Sequence, residues 1–92
     1  MSNLNGTLKK RGSVYGSFEN NAKTSQELKR VIHEHENFHN LNDAHVEAFE
    51  MIFHKISRIL NGDPNYADSW HDIAGYATLV EKAIEGNSDE CK

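Results

Sequence analysis

One short break between two helical patterns restricts the fold of this chain more than any other feature. The run RILNGDPNY, residues 58–66, separates two apolar stripes that repeat at helical spacing. Asn61 and Gly62 both tolerate the left-handed conformation in which many helices end. Asp63 can cap a new helix, with Pro64 at its first position. A connection this short makes the flanking helices antiparallel neighbours, so the sequence predicts a tight helical hairpin.

The remaining pattern predicts one further helix, before the hairpin, and no strand. The fold class is therefore all-α. Ser17 is the expected N-cap of the first helix, Asn42 or Asp43 of the second, and Gly86 is expected to end the third. The predicted boundaries are 1–12 for a flexible N-terminal segment, 13–86 for a single helical domain with helices at about 18–36, 43–60 and 64–85, and 87–92 for a flexible tail.

Length, charge and cysteine content exclude several classes of function. The chain has 92 residues and a net charge of −4, so direct DNA binding and attraction to an anionic membrane are not expected. No apolar run approaches the roughly 20 residues that span a bilayer. Cys91 is the single cysteine, which favours a reducing compartment and a cytoplasmic location. Because a core of this size is small, we expect a homodimer or larger homo-oligomer to complete the helical bundle.

Acidic side chains are predicted to meet across the hairpin. Glu47 and Glu50 share a face of the second helix, and residues equally distant from the turn lie level with each other. Glu50 then lies near Asp72, and Glu47 near Tyr76. Three clustered carboxylates repel one another unless a cation holds them, and such oxygen ligands suit Mg²⁺ or Mn²⁺. Asp68 lies at the edge of this predicted pocket.

Two cationic residues follow one turn further along the second helix. Lys55 and Arg58 suit the phosphates that such a metal bridges. The alternative for these acidic residues is an ordinary solvated face, in which Asp68 forms a surface ion pair with Lys55 or Arg58. Gly75, a mid-helix glycine, suggests a close approach of backbone or ligand. No zinc or haem site is expected, since the histidines of HEHENFH lack the ligands that would complete one.

Two longer motifs carry a resemblance to a known family. The runs KKRGSVYGSFENNA and EAFEMIFHKISRILNGDPNYADSWHDIAGYA resemble a small family of phage and prophage proteins with no assigned function. Its members share R-G-x-x-Y-G-x-F-x-x-N-A and K-I-x-R-I-L-N-G-D-P…W-x-D-I-A-G-Y-A, and the match spans about residues 9 to 84. That family in turn is similar, more distantly, to the MazG-like all-α nucleoside triphosphate pyrophosphohydrolases.

The resemblance implies a function and a set of site residues. MazG-like proteins form helical oligomers, bind Mg²⁺ through E-x-x-E and E-x-x-D, and cleave a nucleoside triphosphate to the monophosphate and pyrophosphate. Glu47 and Glu50 match the first pair and Asp72 the aspartate of the second, but Ser69 stands where the glutamate is expected, unless Asp68 substitutes for it. These three carboxylates are the implied catalytic residues. The expected substrate-binding residues are Lys55, Arg58, Tyr76, His54, Tyr15, Asn20, Asn21 and Arg11.

A second class of function remains open. The same helical oligomer without turnover would sequester a nucleotide signal, or bind a host protein and inhibit host function or defence. The loss of a metal ligand at Ser69 favours binding, whereas the retention of Glu47, Glu50 and Asp72 favours a metal-dependent enzyme.

Overall fold

A computed structural model describes the backbone of residues 12–90 and the side chains of residues 12–86. It contains three helices and, within these residues, no strand, so the all-α prediction is confirmed. The helices are α1 at Phe18–Glu34, α2 at Asp43–Asn61 and α3 at Ala67–Glu90, with a short 3-10 helix at Phe38–Asn40 between α1 and α2. A single helical turn at residues 12–15 precedes α1. None of the described helices is long and apolar enough to cross a membrane.

Two of the predicted N-caps hold their helices as expected. The Ser17 hydroxyl accepts a hydrogen bond from the Asn20 amide at 3.1 Å. At the start of α2, Asn42 Oδ1 accepts from the His45 backbone amide at 2.9 Å, while His45 Nδ1 accepts from the Asn42 amide at 3.1 Å. This reciprocal pair satisfies two amides that the helix itself leaves without acceptors.

Helix α3 begins later than the sequence predicts. Asp63 does not cap a helix at Pro64, because its carboxylate accepts from the Asn65 amide at 2.9 Å and closes a local turn. The Trp70 indole then donates to the Pro64 carbonyl at 2.8 Å and fixes the turn to the first part of α3. The helix therefore starts at Ala67.

The far end of α3 also differs from the prediction. Gly86 does not terminate the helix, which continues to Glu90. A glycine inside a helix costs only about 1 kcal/mol relative to alanine, and no proline follows it to stop the helix. The predicted tail at 87–92 thus starts as helix, while residues 91–92 and the predicted N-terminal segment up to residue 11 lie outside the described residues.

Helix α2 is the central element and packs against both α1 and α3. The hairpin of α2 and α3 has the predicted direction, since Lys55 and Asp72, each five or six residues from the turn, form an ion pair at 3.0 Å. Helices α2 and α3 share a long contact, as the five-residue connection at 62–66 requires.

Small polar side chains occupy the centre of the helix contacts. Ser25 of α1, Ser57 of α2 and Ser69 of α3 are the buried residues, at 1, 0 and 4 % exposure. No hydrophobic side chain in the described part of the chain is buried to that degree. Large residues of the predicted apolar stripes, such as Trp70 at 54 % exposure, stay accessible. The most buried positions of the described chain are therefore small polar residues, and much of the apolar surface remains open.

Candidate functional site

A cavity of about 430 Å³, which we call the polar cavity for the several polar side chains in its otherwise apolar wall, lies between α1, α2 and the segment that precedes α1. This volume is within the roughly 300–1,000 Å³ of most small-molecule sites. Its lining residues are Tyr15, Gly16, Phe18, Asn21, Ala22, Ser25, Gln26, His54 and Arg58. Four of them, namely Tyr15, Asn21, His54 and Arg58, are expected substrate-binding residues, so the structure brings half of that predicted set to one cavity.

A backbone crossing places Tyr15 at this cavity. The segment before α1 lies directly on the turn after α2, where the Asp63 amide donates to the Val14 carbonyl at 2.8 Å. A side chain at Gly62 would meet the carbonyl carbon of Tyr15 at 2.6 Å. At Gly16 it would meet the Asn61 carbonyl oxygen at 2.6 Å, and Gly16 also has a φ of +83°, which L-residues rarely adopt. Both glycines are therefore required by close approach.

The role of Gly62 differs from the one that the sequence predicts. Its φ of −127° is not left-handed, although α2 does end there. Gly62 ends α2 at a point where the segment before α1 lies so close that only a residue without a side chain fits. The segments around Gly16 and Gly62, which are distant in the chain, therefore contact each other at these two glycines.

Two asparagine side chains hold this crossing in place. Asn21 Nδ2 donates to the Tyr15 carbonyl at 2.7 Å. Asn61 Nδ2 lies 2.9 Å from the Ser57 carbonyl and 3.0 Å from Thr24 Oγ1, and it also contacts Asn21 Oδ1 at 3.3 Å. The side-chain amide of Asn21 is thus engaged in positioning Tyr15, with its nitrogen on the Tyr15 carbonyl and its oxygen on Asn61. The Asn20 backbone N–H donates to the N-cap Ser17.

Aromatic and cationic contacts fix the Tyr15 ring. The Arg58 guanidinium lies over the ring, 4.7 Å from its centroid. Tyr66 meets the same ring edge-on, with 5.6 Å between centroids. A hydrogen bond with Tyr15, with the nearby Asp68 carboxylate as a smaller cause, raises the pKa of Tyr66 to about 12. The Tyr66 hydroxyl therefore keeps its proton at neutral pH.

His54 is the titratable residue of the cavity. Partial burial is the largest cause that lowers its pKa below the ordinary value of 6.5. The positive charges of Lys29, Arg58 and Lys55 lower the pKa further. Glu50 acts in the opposite direction but does not outweigh them. His54 is consequently neutral at physiological pH, within a locally positive field.

Ser25 contributes an unsatisfied hydroxyl to the cavity wall. Its side chain is 1 % exposed, and Oγ finds no hydrogen-bond partner in the described part of the chain. Ser57 offers a direct comparison, because its equally buried hydroxyl donates to the Phe53 carbonyl at 2.7 Å. A buried hydroxyl without a partner costs about 1–3 kcal/mol, so few persist in folded proteins. The helical spacing of the sequence places Ser25 on the packed face of α1, but it does not indicate whether the hydroxyl has a partner, so Ser25 was not predicted as a site residue.

The carboxylates of the predicted metal site do not converge in a single chain. Asp72 forms the ion pair with Lys55, and Glu50 lies 3.6 Å from His33 Nε2. Glu47 is exposed and lines a separate groove with Tyr76. Among the residues that the structure describes, no group of three or more His, Cys, Asp or Glu side chains comes close enough to hold a metal ion.

The other predicted site residues have separate surroundings. Asp72 and Tyr76 line an open surface cleft of about 320 Å³ with Gly75, away from the polar cavity. No atom lies within 4 Å of the position that a side chain at Gly75 would take, so nothing in the described chain explains this glycine. Lys55 pairs with Asp72, not with Asp68, which lies close to Tyr66. Arg11 lies outside the described residues.

These features define a small all-α protein whose ligand-sized cavity lies between its first two helices. The chain belongs to the family described as a domain of unknown function, DUF6378, whose model matches residues 4–84. Comparisons with curated proteins and with solved structures give no match.

Proposed function

We propose that this chain is a nucleotide-binding protein whose ligand occupies the cavity at Tyr15, Ser25, His54 and Arg58. The observation that carries the proposal is the convergence of residues expected to bind substrate with a hydroxyl that lacks a partner in the described chain. The cavity also combines a planar aromatic ring and a guanidinium, which suit a base and a phosphate. The phage and prophage resemblance, and action in the host cytoplasm, form part of this proposal.

Binding has better support than hydrolysis. The resemblance implies Mg²⁺ or Mn²⁺ at Glu47, Glu50 and Asp72, where a metal ion would activate water for attack on phosphorus. In one chain these residues do not fit that role as they stand, since Asp72 is paired with Lys55 and Glu50 lies beside His33. Ser69, at the position of the missing glutamate, is buried in the helix contact. Pyrophosphohydrolase activity is therefore a separate proposal from binding.

One pair of measurements tests both proposals. Calorimetric titration with a panel of ribo- and deoxynucleoside triphosphates and monophosphates tests binding, and the absence of heat with every nucleotide would dismiss it. Pyrophosphate release with Mg²⁺ or Mn²⁺ tests hydrolysis, with Asp72→Asn as the control. Release that Asp72→Asn abolishes would establish an enzyme. Binding without release would establish a nucleotide-binding protein that does not turn over.

We also infer that the chain works as a homodimer. The open apolar face of α2 and α3 includes a groove lined by Ala44, Glu47, Ala48, Met51, Tyr76, Leu79 and Val80. No described hydrophobic side chain is buried in the monomer, and its radius of gyration is 16.2 Å. A compact domain of this length has a radius of about 12 Å. We favour a second copy of this chain as the occupant of the groove, because the two alanines allow another helix to approach closely. A chain that buries no large hydrophobic side chain among its described residues also needs a partner that is present whenever the chain is folded, and a second copy meets that condition.

Two leucines of matched exposure test the dimer. Leu79 lies in the groove and is 63 % exposed, whereas Leu60 is 67 % exposed at the end of α2 outside it. Leu79→Lys is expected to shift the protein from dimer to monomer in sedimentation experiments, and Leu60→Lys to leave the dimer intact. A monomeric wild type, or equal effects of both substitutions, would rule out this face as the interface.

A further inference from the structure

The polar cavity has a charge opposite to that of the chain as a whole. The sequence has 14 acidic and 10 basic residues, yet none of the nine described residues that line the cavity is acidic. Arg58 supplies a permanent positive charge, and His54 can take up a second. Because concave sites concentrate the field of their lining charges, this cavity attracts anions on a protein that otherwise repels them.

Ser25 and Arg58 supply hydrogen-bond donors to the cavity. The Ser25 hydroxyl has a proton to donate and no acceptor in the described chain. Arg58 is held over the Tyr15 ring at 4.7 Å, so its guanidinium is ordered before a ligand arrives. Phosphate oxygens are acceptors that match such donors, and charge-assisted hydrogen bonds of this kind are among the strongest in proteins.

We propose that the cavity binds the phosphate group of its ligand directly, without a metal ion, through Arg58, His54 and the Ser25 hydroxyl. This inference rests on the proposed function, because it assigns the part of the nucleotide that enters the cavity. It differs from the metal-bridged arrangement that the sequence predicts, in which Lys55 and Arg58 together meet the phosphates. In the structure Lys55 forms an ion pair with Asp72, whereas Arg58 lines the cavity.

Binding of an anion here is coupled to the protonation of His54. The charged groups that act on His54 are Lys29 from α1 and Glu50, Lys55 and Arg58 from α2. Three of these four are cations, and they favour the neutral imidazole in the free protein. A bound dianion compensates their charge and favours the imidazolium, so binding takes up a proton. Affinity is therefore expected to rise as the pH falls from about 8 to about 5, the range in which histidines titrate.

The test is calorimetric titration of the full-length protein in the presence of EDTA. The ligands are sulfate, inorganic pyrophosphate, a nucleoside and the corresponding nucleoside triphosphate. Sulfate keeps its charge over this pH range, so any pH dependence of its binding reports on the protein. We expect pyrophosphate and the triphosphate to bind without metal, the nucleoside to bind more weakly by about tenfold or more, and sulfate to bind more tightly at low pH.

Variants identify the residues involved. Arg58→Gln is expected to weaken pyrophosphate binding by about tenfold or more, and Arg58→Lys to retain part of it. Arg30→Gln is the matched control, because Arg30 is an exposed arginine of α1 outside the cavity lining. Ser25→Ala provides a second variant if Arg58→Gln fails to fold, and it is expected to weaken binding while preserving the helix.

The outcomes separate this inference from the proposed function. If triphosphates bind only with Mg²⁺ or Mn²⁺, or bind no better than the nucleoside, the direct phosphate site is wrong while nucleotide binding stands. If pyrophosphate binds as tightly as every nucleotide, the phosphate site stands and nucleotide recognition is wrong. Equal losses in Arg58→Gln and Arg30→Gln would show that binding reflects net charge and would overturn the site.

Discussion

Replacement of Ser25 by alanine is expected to stabilise the ligand-free protein. The Ser25 hydroxyl is buried at 1 % exposure and has no hydrogen-bond partner within the described residues. Removing an unsatisfied buried hydroxyl raises the free energy of unfolding by about 1–3 kcal/mol, because its desolvation cost is no longer paid. Alanine also has the higher helix propensity, by less than about 0.7 kcal/mol. The void left by one oxygen atom costs less than the roughly 0.8 kcal/mol of a methylene group, so the net gain is about 1–2 kcal/mol.

Ser57→Ala is the matched control for this substitution. Ser57 is buried to the same degree on α2, but its hydroxyl donates to the Phe53 carbonyl at 2.7 Å. Loss of that hydrogen bond costs about 0.5–1.5 kcal/mol, which the higher propensity of alanine partly offsets. The free energy of unfolding should therefore be unchanged or slightly lower in Ser57→Ala, opposite in direction to Ser25→Ala.

Urea unfolding followed by far-ultraviolet circular dichroism measures both effects. The two variants and the wild type are compared at one protein concentration, because dimerisation makes apparent stability depend on concentration. For a domain of this size, 1 kcal/mol corresponds to about 4–8 °C in melting temperature, which thermal unfolding can confirm. A loss of stability in Ser25→Ala, or the same change in both variants, would show that the Ser25 hydroxyl has a partner and would refute the reasoning.

Three further predictions concern the backbone crossing, the titration of His54 and the buried position 69. Gly62→Ala should lower the free energy of unfolding by about 1–3 kcal/mol, since its side chain would collide with the Tyr15 backbone. Gly75→Ala, with open space around it in the described chain, should raise the free energy of unfolding by about 0.5–1 kcal/mol in urea unfolding at the same protein concentration. Because the pKa of His54 is lowered in the folded protein, the unfolded chain binds the His54 proton more tightly. The stability that neutral His54 contributes is complete above about pH 6.5 and is lost as the pH falls below it. His54→Gln should therefore lose less stability than the wild type between about pH 6.5 and pH 5. Ser69→Glu should destabilise the fold by about 3 kcal/mol or more without creating a metal site, and a variant that folds well and is stabilised by Mn²⁺ would contradict this.

The hairpin and the starts of α1 and α2 were predictable because local chemistry determines them. Ser17 and Asn42 cap their helices through side-chain hydrogen bonds within three residues, and the short turn forces α2 and α3 together. The start of α3 was not predicted, because Asp63 has two local options, an N-cap and a turn to the Asn65 amide, and the sequence does not choose between them.

The cavity was predictable only in part, for a physical reason. Tyr15 and Arg58 were expected at a ligand site, but their contact depends on the crossing of two distant segments. Gly16 and Gly62 permit that crossing, and each glycine alone is consistent with an ordinary turn. Whether the Ser25 hydroxyl finds an acceptor is decided by packing in three dimensions, so no periodicity in the sequence reports it.

The buried serines connect the packing of the helices to the way this protein is expected to act. Ser25, Ser57 and Ser69 fill the helix contacts, where a leucine or valine would keep the backbones further apart. Close helices leave the larger apolar side chains at the edges of each contact, where they remain exposed to a partner chain. The Ser25 hydroxyl has no acceptor within the described residues, and it lies beside a cavity that carries Arg58 and His54. A ligand with an acceptor oxygen, as proposed for this cavity, would complete the hydrogen bonding of this buried hydroxyl.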